Sequence, residues 1–580
     1  MKPHMTPSAT NGIIQSQATV DDALSATEQP SASRLEWLMA WGLLPLVLLA
    51  YAPALNAGFI WDDNISLTKC PQIRSLSGLW ELWTNPAMNP MGHYYPLTYT
   101  SFWLEYRLWG LNAWGYHFVN VLLHGLNAVV LWRVLRNLRI PGALFCAALF
   151  ALHPLKVESA AWITERKDLL SGFFYLLAAL LFLRCAETRN RRDYYASLAL
   201  SACAMLSKSI TLTLPIALGL ALWWRNGRFT RQDALRLLPF VTIAAGIAII
   251  GLSATYGFYE YPYELSFIDR CLIASRALWF YLGKLLWPHP LMPIYPRWAI
   301  DAADPLQWLP LIGILITLTA FYTMRKRIGR GPLIAALYFG VTLGMLLGFI
   351  DYPLMAYSFV ADRFQYLAGI GPMALLSGAC AVGAAKIPTP QRRMLWIPAL
   401  GLLLALGAKT FVQTSYFTDN ETLFRHNLRY NQTNTYLYDK LGIGLLENEN
   451  YAEAASAFRR SLELSPGDAN VEALLAFTLL QTKEYDTAVE LMLKLAPLNP
   501  AMLAREAEMA RRLLKFGCYR EAIRLLEDYN RQNPDQPPAL YKLGLCHERL
   551  GETEKAEVFF ERVRELNPSW YEYWSKQPWD

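Results

Sequence analysis

Up to about residue 415 the chain alternates long apolar blocks with short polar turns. Beyond it, charged positions are interleaved with small and large apolar ones. The apolar blocks lie near 36–55, 116–135, 141–153, 169–186, 194–207, 209–224, 235–254, 305–324, 331–350, 366–385 and 394–414. A helix rises about 1.5 Å per residue, so about 20 apolar residues cross a hydrocarbon core of about 30 Å. The pattern predicts a polytopic membrane domain of about 11 transmembrane helices. A further stretch, 270–288, is apolar but carries Arg270, Arg276 and Lys284, and reads as a re-entrant or interfacial helix. Twelve crossings is the alternative count, with the short pair 194–207 and 209–224 its weakest part.

From 435 to 568 the pattern repeats every 34 residues. Pro466, Pro500, Pro534 and Pro568 share one column, and Ala454, Ala488, Ala522 and Ala556 a second. Gly442, Ala476, Ala510 and Gly544 form a third, and Phe458, Met492, Leu526 and Phe560 a fourth. Small residues let two helices approach, the large residue fills their groove, and proline stops the second helix. Four tetratricopeptide-type units stacked as an α-solenoid are expected. The fold class is therefore all-α: residues 1–33 a polar, disordered cytoplasmic tail, 34–415 the membrane domain, 416–434 a connector, 435–568 the repeats and 569–580 a C-terminal cap. In that cap Trp570, Tyr571, Tyr573, Trp574 and Trp579 would seal the last helix face.

Composition adds to this. The chain is 54% hydrophobic with a mean hydropathy of +0.18, more apolar than most soluble domains. The net charge of +6 does not mark a nucleic-acid binder, because the basic residues gather in short turns, at 133–139, 184–192, 225–236, 325–330 and 386–393. Such turns stay cytoplasmic, which puts the N-terminus inside and the repeats outside. The segment 36–55 is too long for a signal-peptide core and reads as a retained first span. Eight cysteines without a C-x-x-C suggest neither a zinc site nor a disulfide scaffold. No phosphate-binding glycine loop opens a helix, so no nucleotide site is expected.

On this topology three outer loops carry the charges. Trp61-Asp62-Asp63-Asn64 follows the first span. His153-Pro154-Leu155-Lys156-Val157-Glu158-Ser159 runs on to Thr164-Glu165-Arg166-Lys167-Asp168, and Ala361-Asp362-Arg363-Phe364-Gln365-Tyr366 leads into a later span. Each has a plain reading. Asp62 and Asp63 cap an interfacial helix, and His153 ends a helix before proline. Arg166-Lys167 is a solvated turn, and Asp362-Arg363 a structural ion pair. Lys208, in a tight outer turn, either snorkels or meets a phosphate. Charges at span mouths are costly unless they face water, a partner or a substrate. Gathered on one face, they suit a reaction in which a carboxylate takes the proton of an attacking hydroxyl and cations neutralise a phosphate.

The Asp-Asp after the first span, the His-Pro-x-x-x-Glu-Ser-x-x-Trp run into Arg-Lys-Asp, the Ala-Asp-Arg-Phe-x-Tyr-Leu loop and the trailing repeats together carry a resemblance. The chain resembles the transmembrane-and-tetratricopeptide-repeat O-mannosyltransferases and their bacterial relatives, in the GT-C glycosyltransferase superfamily, over roughly residues 36–570. The resemblance implies a GT-C membrane fold and a polyprenyl-phosphate-linked sugar donor. It also implies inverting transfer to Ser or Thr of an extracytoplasmic protein held by the repeats. It makes Asp62 or Asp63 the catalytic carboxylate. It assigns His153, Glu158, Arg166, Lys167 and Asp168 to the donor pocket, Asp362 and Arg363 to the lipid phosphate, and Tyr366 to the lipid groove. Dependence on a divalent metal stays open: adjacent acids suit one, but no full ligand set is visible, so no cofactor and no metal-holding residue is assigned. The expected location is a bacterial inner membrane. Two readings compete: a GT-C transferase acting on a glycolipid or polysaccharide, and a non-enzymatic membrane scaffold whose repeats recruit partners.

Overall fold

The computed structural model describes residues 32–255, 264–495 and 500–576. The expectation for the tail 1–33 therefore lies almost wholly outside the described residues, as does Trp579. The chain divides into two units, up to Asp419 and from Asn420, and every regular element among the described residues is helical.

In the first unit the opening apolar block forms α1 (Arg34–Trp41) and α2 (Leu43–Ala50). Ser33 caps α1: its hydroxyl accepts from the Glu36 N–H while the Glu36 carboxylate accepts from the Ser33 N–H. The loop that follows holds α3 (Pro96–Trp109). Then come α4 (Ala113–Asn137), α5 (Ala143–Leu152), the short α6 (Val157–Ala161), α7 (Arg166–Thr188), α8 (Arg191–Ser207), α9 (Leu214–Asn226) and α10 (Arg231–Thr255). After them follow α11 (Phe267–Leu286), α12 (Leu309–Ile328), α13 (Gly331–Leu343), α14 (Ile370–Ala385) and α15 (Trp396–Ser415).

Among the described residues five helical stretches are long and apolar enough to cross a membrane alone: 113–137, 163–188, 231–254, 305–328 and 389–415. Helix α5 with its continuation to Ala161, bent by 60°, makes a sixth. Length and composition thus count five or six crossings where the sequence pattern suggests about 11. The other blocks are helical but shorter or broken. The block 209–224 opens as a 3-10 turn, Ser209–Thr213, and 331–350 leaves the α-helix at Leu343. The 270–288 segment falls largely within a single unbroken helix, α11.

Burial separates inner helices from outer ones. The apolar window of 113–137 is 61% buried and that of 163–188 is 50% buried, whereas that of 305–328 is 0% buried. Ile312, Leu315 and Ile316 are all exposed. Soluble proteins do not show so long an apolar face to water, whereas lipid covers it at no cost. The chain is an integral membrane protein. Inside the bundle small and polar residues let helices meet closely: the Ser197 hydroxyl donates to the Ala178 carbonyl at 2.7 Å, and Asn127 Nδ2 donates to the Leu169 carbonyl at 2.9 Å.

Two interruptions position the site. Pro154 has no N–H to continue α5, so residues 154–165 run as 3-10 turns around α6 before α7 begins at Arg166. The other interruption is a 3-10 turn, Asp362–Gln365, that precedes α14.

The second unit opens with α16 (Asn420–Leu428) inside the expected connector. Its Asn420 Nδ2 donates to Glu447 Oε2 at 2.7 Å, so a lone helix packs on the first repeat. The pairs α17 (Thr435–Glu447) with α18 (Tyr451–Leu464), α19 (Ala469–Gln481) with α20 (Tyr485–Leu495), α21 (Pro500–Lys515) with α22 (Tyr519–Gln532), and α23 (Pro537–Arg549) with α24 (Thr553–Leu566) follow the 34-residue register. The small and large columns meet directly. A Cβ at Gly442 would lie 2.5 Å from Phe458 Cε1, and one at Gly544 2.5 Å from Phe560 Cε1. A last helix, α25 (Pro568–Trp574), lays Trp570, Tyr571 and Trp574 against Tyr541 and Phe560.

Candidate functional site

Asp63 is wholly buried and both its oxygens are engaged. Oδ2 accepts from the Ile60 N–H at 2.9 Å; Oδ1 accepts from the Thr164 N–H at 2.8 Å and the Thr164 hydroxyl at 2.5 Å. The carboxylate thereby pins the first loop to the second. Burial pushes its pKa up to about 7, against the pull of the Thr164 and Ile60 hydrogen bonds. Its neighbour Asp62 is half-buried. Trp61 turns the chain between them and the membrane with φ of 49°, a costly backbone for a bulky residue. Its ring is held by stacking on Trp162, with centroids 4.5 Å apart and planes 3° from parallel.

Beside this stack lies a buried cluster of alternating charge centred on Glu165. Lys167 Nζ lies 3.1 Å from Glu165 Oε1, Lys208 Nζ 3.1 Å from Glu165 Oε2, and Arg363 Nε 3.3 Å from Glu165 Oε1. Lys208 also reaches Asp168 Oδ1 at 2.7 Å, and Ser159 donates to Asp168 Oδ2 at 3.1 Å. Arg363 pairs through Nη1 with Glu158, whose other oxygen accepts from the Arg363 N–H at 2.8 Å. Although burial alone would lower the Lys208 pKa, Asp168 and Glu165 raise it, so Lys208 stays charged. Two donors remain on the rim. Lys167 makes a single ion pair, and Arg363 Nη2 has no partner among the described residues. Both cations lie over Trp162, at 5.9 and 5.4 Å from its centroid. His93 completes the rim; burial first, then Lys167 and Lys208, lowers its pKa to about 4 and keeps it neutral.

The structure thus brings together Asp62, Asp63, Glu158, Lys167, Asp168 and Arg363 from the three loops. It sets the other expected residues apart. Arg166 is fully buried, with its guanidinium on Glu105, Asn120, Ser101 and the Tyr116 carbonyl, which engages all five N–H groups. His153 accepts at Nδ1 from the Leu155 N–H at 3.3 Å and donates from Nε2 to the Leu285 carbonyl at 3.0 Å. Tyr366 is buried, with its hydroxyl 3.0 Å from His124 Nδ1 and 2.9 Å from Asn127 Nδ2. Asp362 accepts from the Tyr295 hydroxyl at 2.9 Å, and burial followed by Glu158 holds it well above the usual carboxylate range.

Thr164, Glu165 and His93, to which the sequence assigns no role, take part in the site together with Trp162, the last residue of the His-Pro-x-x-x-Glu-Ser-x-x-Trp run, and Lys208 neither snorkels nor stands free. The available signal was a charged residue between two apolar runs, as in Ser207-Lys208-Ser209. Among the described residues no group of three or more His, Cys, Asp or Glu side chains is placed to hold a metal ion.

Residues 94–255, which include Glu158, Glu165, Lys167, Asp168 and Lys208, match the family described as dolichyl-phosphate-mannose-protein mannosyltransferase. Residues 445–507 and 513–577 match the tetratricopeptide repeat. Over 488 residues the chain is 24% identical to protein O-mannosyl-transferase TMTC4 of Mus musculus, covering 70% of this chain and 64% of that one. The match thus runs through both the membrane unit and the repeats. Over 440 residues it is 24% identical to protein O-mannosyl-transferase F38B6.6 of Caenorhabditis elegans, covering 70% of this chain and 60% of that one. A shorter stretch of 189 residues is 33% identical to protein O-mannosyl-transferase Tmtc1 of Drosophila melanogaster, covering 31% and 22%. The chain spans less than two thirds of the length of each of these relatives. Among solved structures, the crystal structure of MamA is 18% identical, with a TM-score of 0.23, covering 26% of this chain and 84% of that one.

Proposed function

We propose that this protein is a membrane glycosyltransferase. It moves a sugar, mannose in the first instance, from a polyprenyl-phosphate carrier to a Ser or Thr hydroxyl of an extracytoplasmic protein. The observation that carries this reading is the half-buried Asp62 beside a fully engaged Asp63, at the edge of a rim where Lys167 and Arg363 Nη2 keep donors free. The relatives, protein O-mannosyl-transferases by name, support the sugar and the protein acceptor.

In this reading Asp62 is the base and Asp63 a positioning residue. The acceptor oxygen attacks the anomeric carbon while its proton passes to Asp62, and the bond from that carbon to the phosphate oxygen breaks. The carrier leaves as a lipid phosphate whose added charge Lys167 and Arg363 neutralise. Attack opposite the leaving group inverts the anomeric configuration. Lys208, Glu158, Glu165 and Asp168 hold the two cations in place, and the stacked Trp61 and Trp162 floor the rim. Arg166, His153, Asp362 and Tyr366 brace the surrounding helices and touch no substrate. The basic turns orient the site to the extracytoplasmic face of the bacterial inner membrane expected from the sequence, and the repeats hold the acceptor chain.

The test supplies detergent-purified protein with synthetic polyprenyl-phosphate mannose or with a nucleotide-linked mannose, plus envelope proteins as acceptors. Protein-linked mannose of inverted anomeric configuration, formed from the lipid donor only, is expected. Transfer from the nucleotide sugar, or retention of configuration, would overturn the mechanism. Consumption of the lipid donor with the sugar appearing only on glycolipid would move the acceptor class. No consumption of either donor would favour the scaffold.

A further inference from the structure

The helices that carry the charged cluster at their outer ends enclose something different at the other. Between α4, α7, α9, α13 and α14 lies a cavity of about 480 Å³, walled by Leu135, Leu176, Leu183, Leu218, Ala335 and Leu375. That volume falls in the range of roughly 300–1,000 Å³ typical of ligand pockets. Where the cavity reaches the ends of α9, α12 and α14, its lining turns polar at Trp224, Arg327 and Lys386. Trp224 is fixed in place: its indole N–H donates to the Leu138 carbonyl at 2.8 Å, and its own carbonyl accepts from Arg330 at 2.7 and 2.9 Å. Arg327 and Lys386 are exposed, and no ion pair or hydrogen bond engages either side chain among the described residues. A largely apolar slot whose mouth carries a tryptophan and two unpaired cations is complementary to one kind of molecule: an anionic lipid, with a chain inside and a phosphate at the rim.

We propose that this cavity is a binding site for an anionic phospholipid of the leaflet that faces the basic turns. One acyl chain fills the slot, and its headgroup phosphate rests between Arg327 and Lys386. The occupant is a phospholipid and not the tail end of the sugar donor, because the two phosphate sites are far apart. Leu183, near the cavity mouth on α7, stands sixteen residues beyond Lys167, about 24 Å of helix. The choice of a phospholipid over the donor's tail rests on the glycosyl-transfer reading's phosphate site at Lys167 and Arg363; the cavity and its two cations do not. It would brace α4 and α7, the two most buried of the long apolar helices, whose outer ends frame the cluster.

The test uses the full-length protein purified in mild detergent, with phosphatidylglycerol and phosphatidylcholine of identical acyl chains as probes, read by native mass spectrometry. One phosphatidylglycerol is expected to stay bound per chain in preference to phosphatidylcholine. The preference should fall on the order of thirtyfold in Arg327→Ala/Lys386→Ala, at about one surface cation's worth for each change. Ala335→Trp, which fills the slot, should lose both lipids. Equal retention of the two lipids by wild type, an unchanged preference in the double variant, or displacement of phosphatidylglycerol by synthetic polyprenyl phosphate would each overturn the proposal. The charge pair lies at exposed positions outside the core, so that arm decides the matter even if the filled variant does not fold.

Discussion

Asp62 and Asp63 are neighbours in sequence yet differ in how deeply they are buried. Asp63 is buried under three donors; Asp62 is half-buried. An unfolded Asp titrates near 4, whereas Asp63 in the folded protein titrates at about 7. Between those values the folded state holds the extra proton, so this group's contribution to stability falls as pH rises from about 4 to 7. Thermal unfolding in detergent, scanned over that window, should show a steeper loss with rising pH in wild type than in Asp63→Asn; equal slopes would contradict the assignment. Arg166 makes a second case. Removing its partner in Glu105→Leu leaves a buried unpaired guanidinium and should cost about 3–5 kcal/mol of stability, measurable by denaturant unfolding. Donor affinity in the protein that remains folded should be unchanged. Which residue types gather at the site was readable from the sequence, since acids and bases at span mouths stand out against apolar blocks. Which of them face a substrate was not. Arg166 and Lys167 are adjacent, yet one is saturated inside the bundle and the other lies on the rim, a consequence of the helical turn that starts α7.

At the scale of elements, the repeat columns carry a packing claim. Gly442 faces Phe458 so closely that a Cβ would lie 2.5 Å from its ring. Gly442→Val should overpack the first repeat and cost about 1–3 kcal/mol, seen as a lower unfolding midpoint and faster proteolysis of the repeat unit in the full-length protein. No change in either would contradict the column assignment. These helices were legible because a period of 34 residues repeats four times. The helix α16 was not, because it precedes the first repeat and shares no column with it. In the membrane unit the apolar blocks marked where helices lie. They did not mark where helices break, because Pro154 and the 3-10 turns around α6 are short-range features that hydropathy averages away.

For the whole molecule, the account rests on an orientation: basic turns on one face, the charged cluster on the other. Single cysteines placed at Gln307 and Lys326, at opposite ends of the stretch 305–328, should react with a membrane-impermeant maleimide from outside only at Gln307. The reverse pattern would move the cluster to the cytoplasmic face and end the case for a lipid-linked donor. The most direct measurement is a single-turnover transfer assay on Asp62→Asn and Asp63→Asn with polyprenyl-phosphate mannose. The account predicts that Asp62→Asn folds with the wild-type midpoint, binds the donor and transfers at least about 10²-fold more slowly. Asp63→Asn should instead lose stability. Full transfer by a folded Asp62→Asn would contradict the central claim.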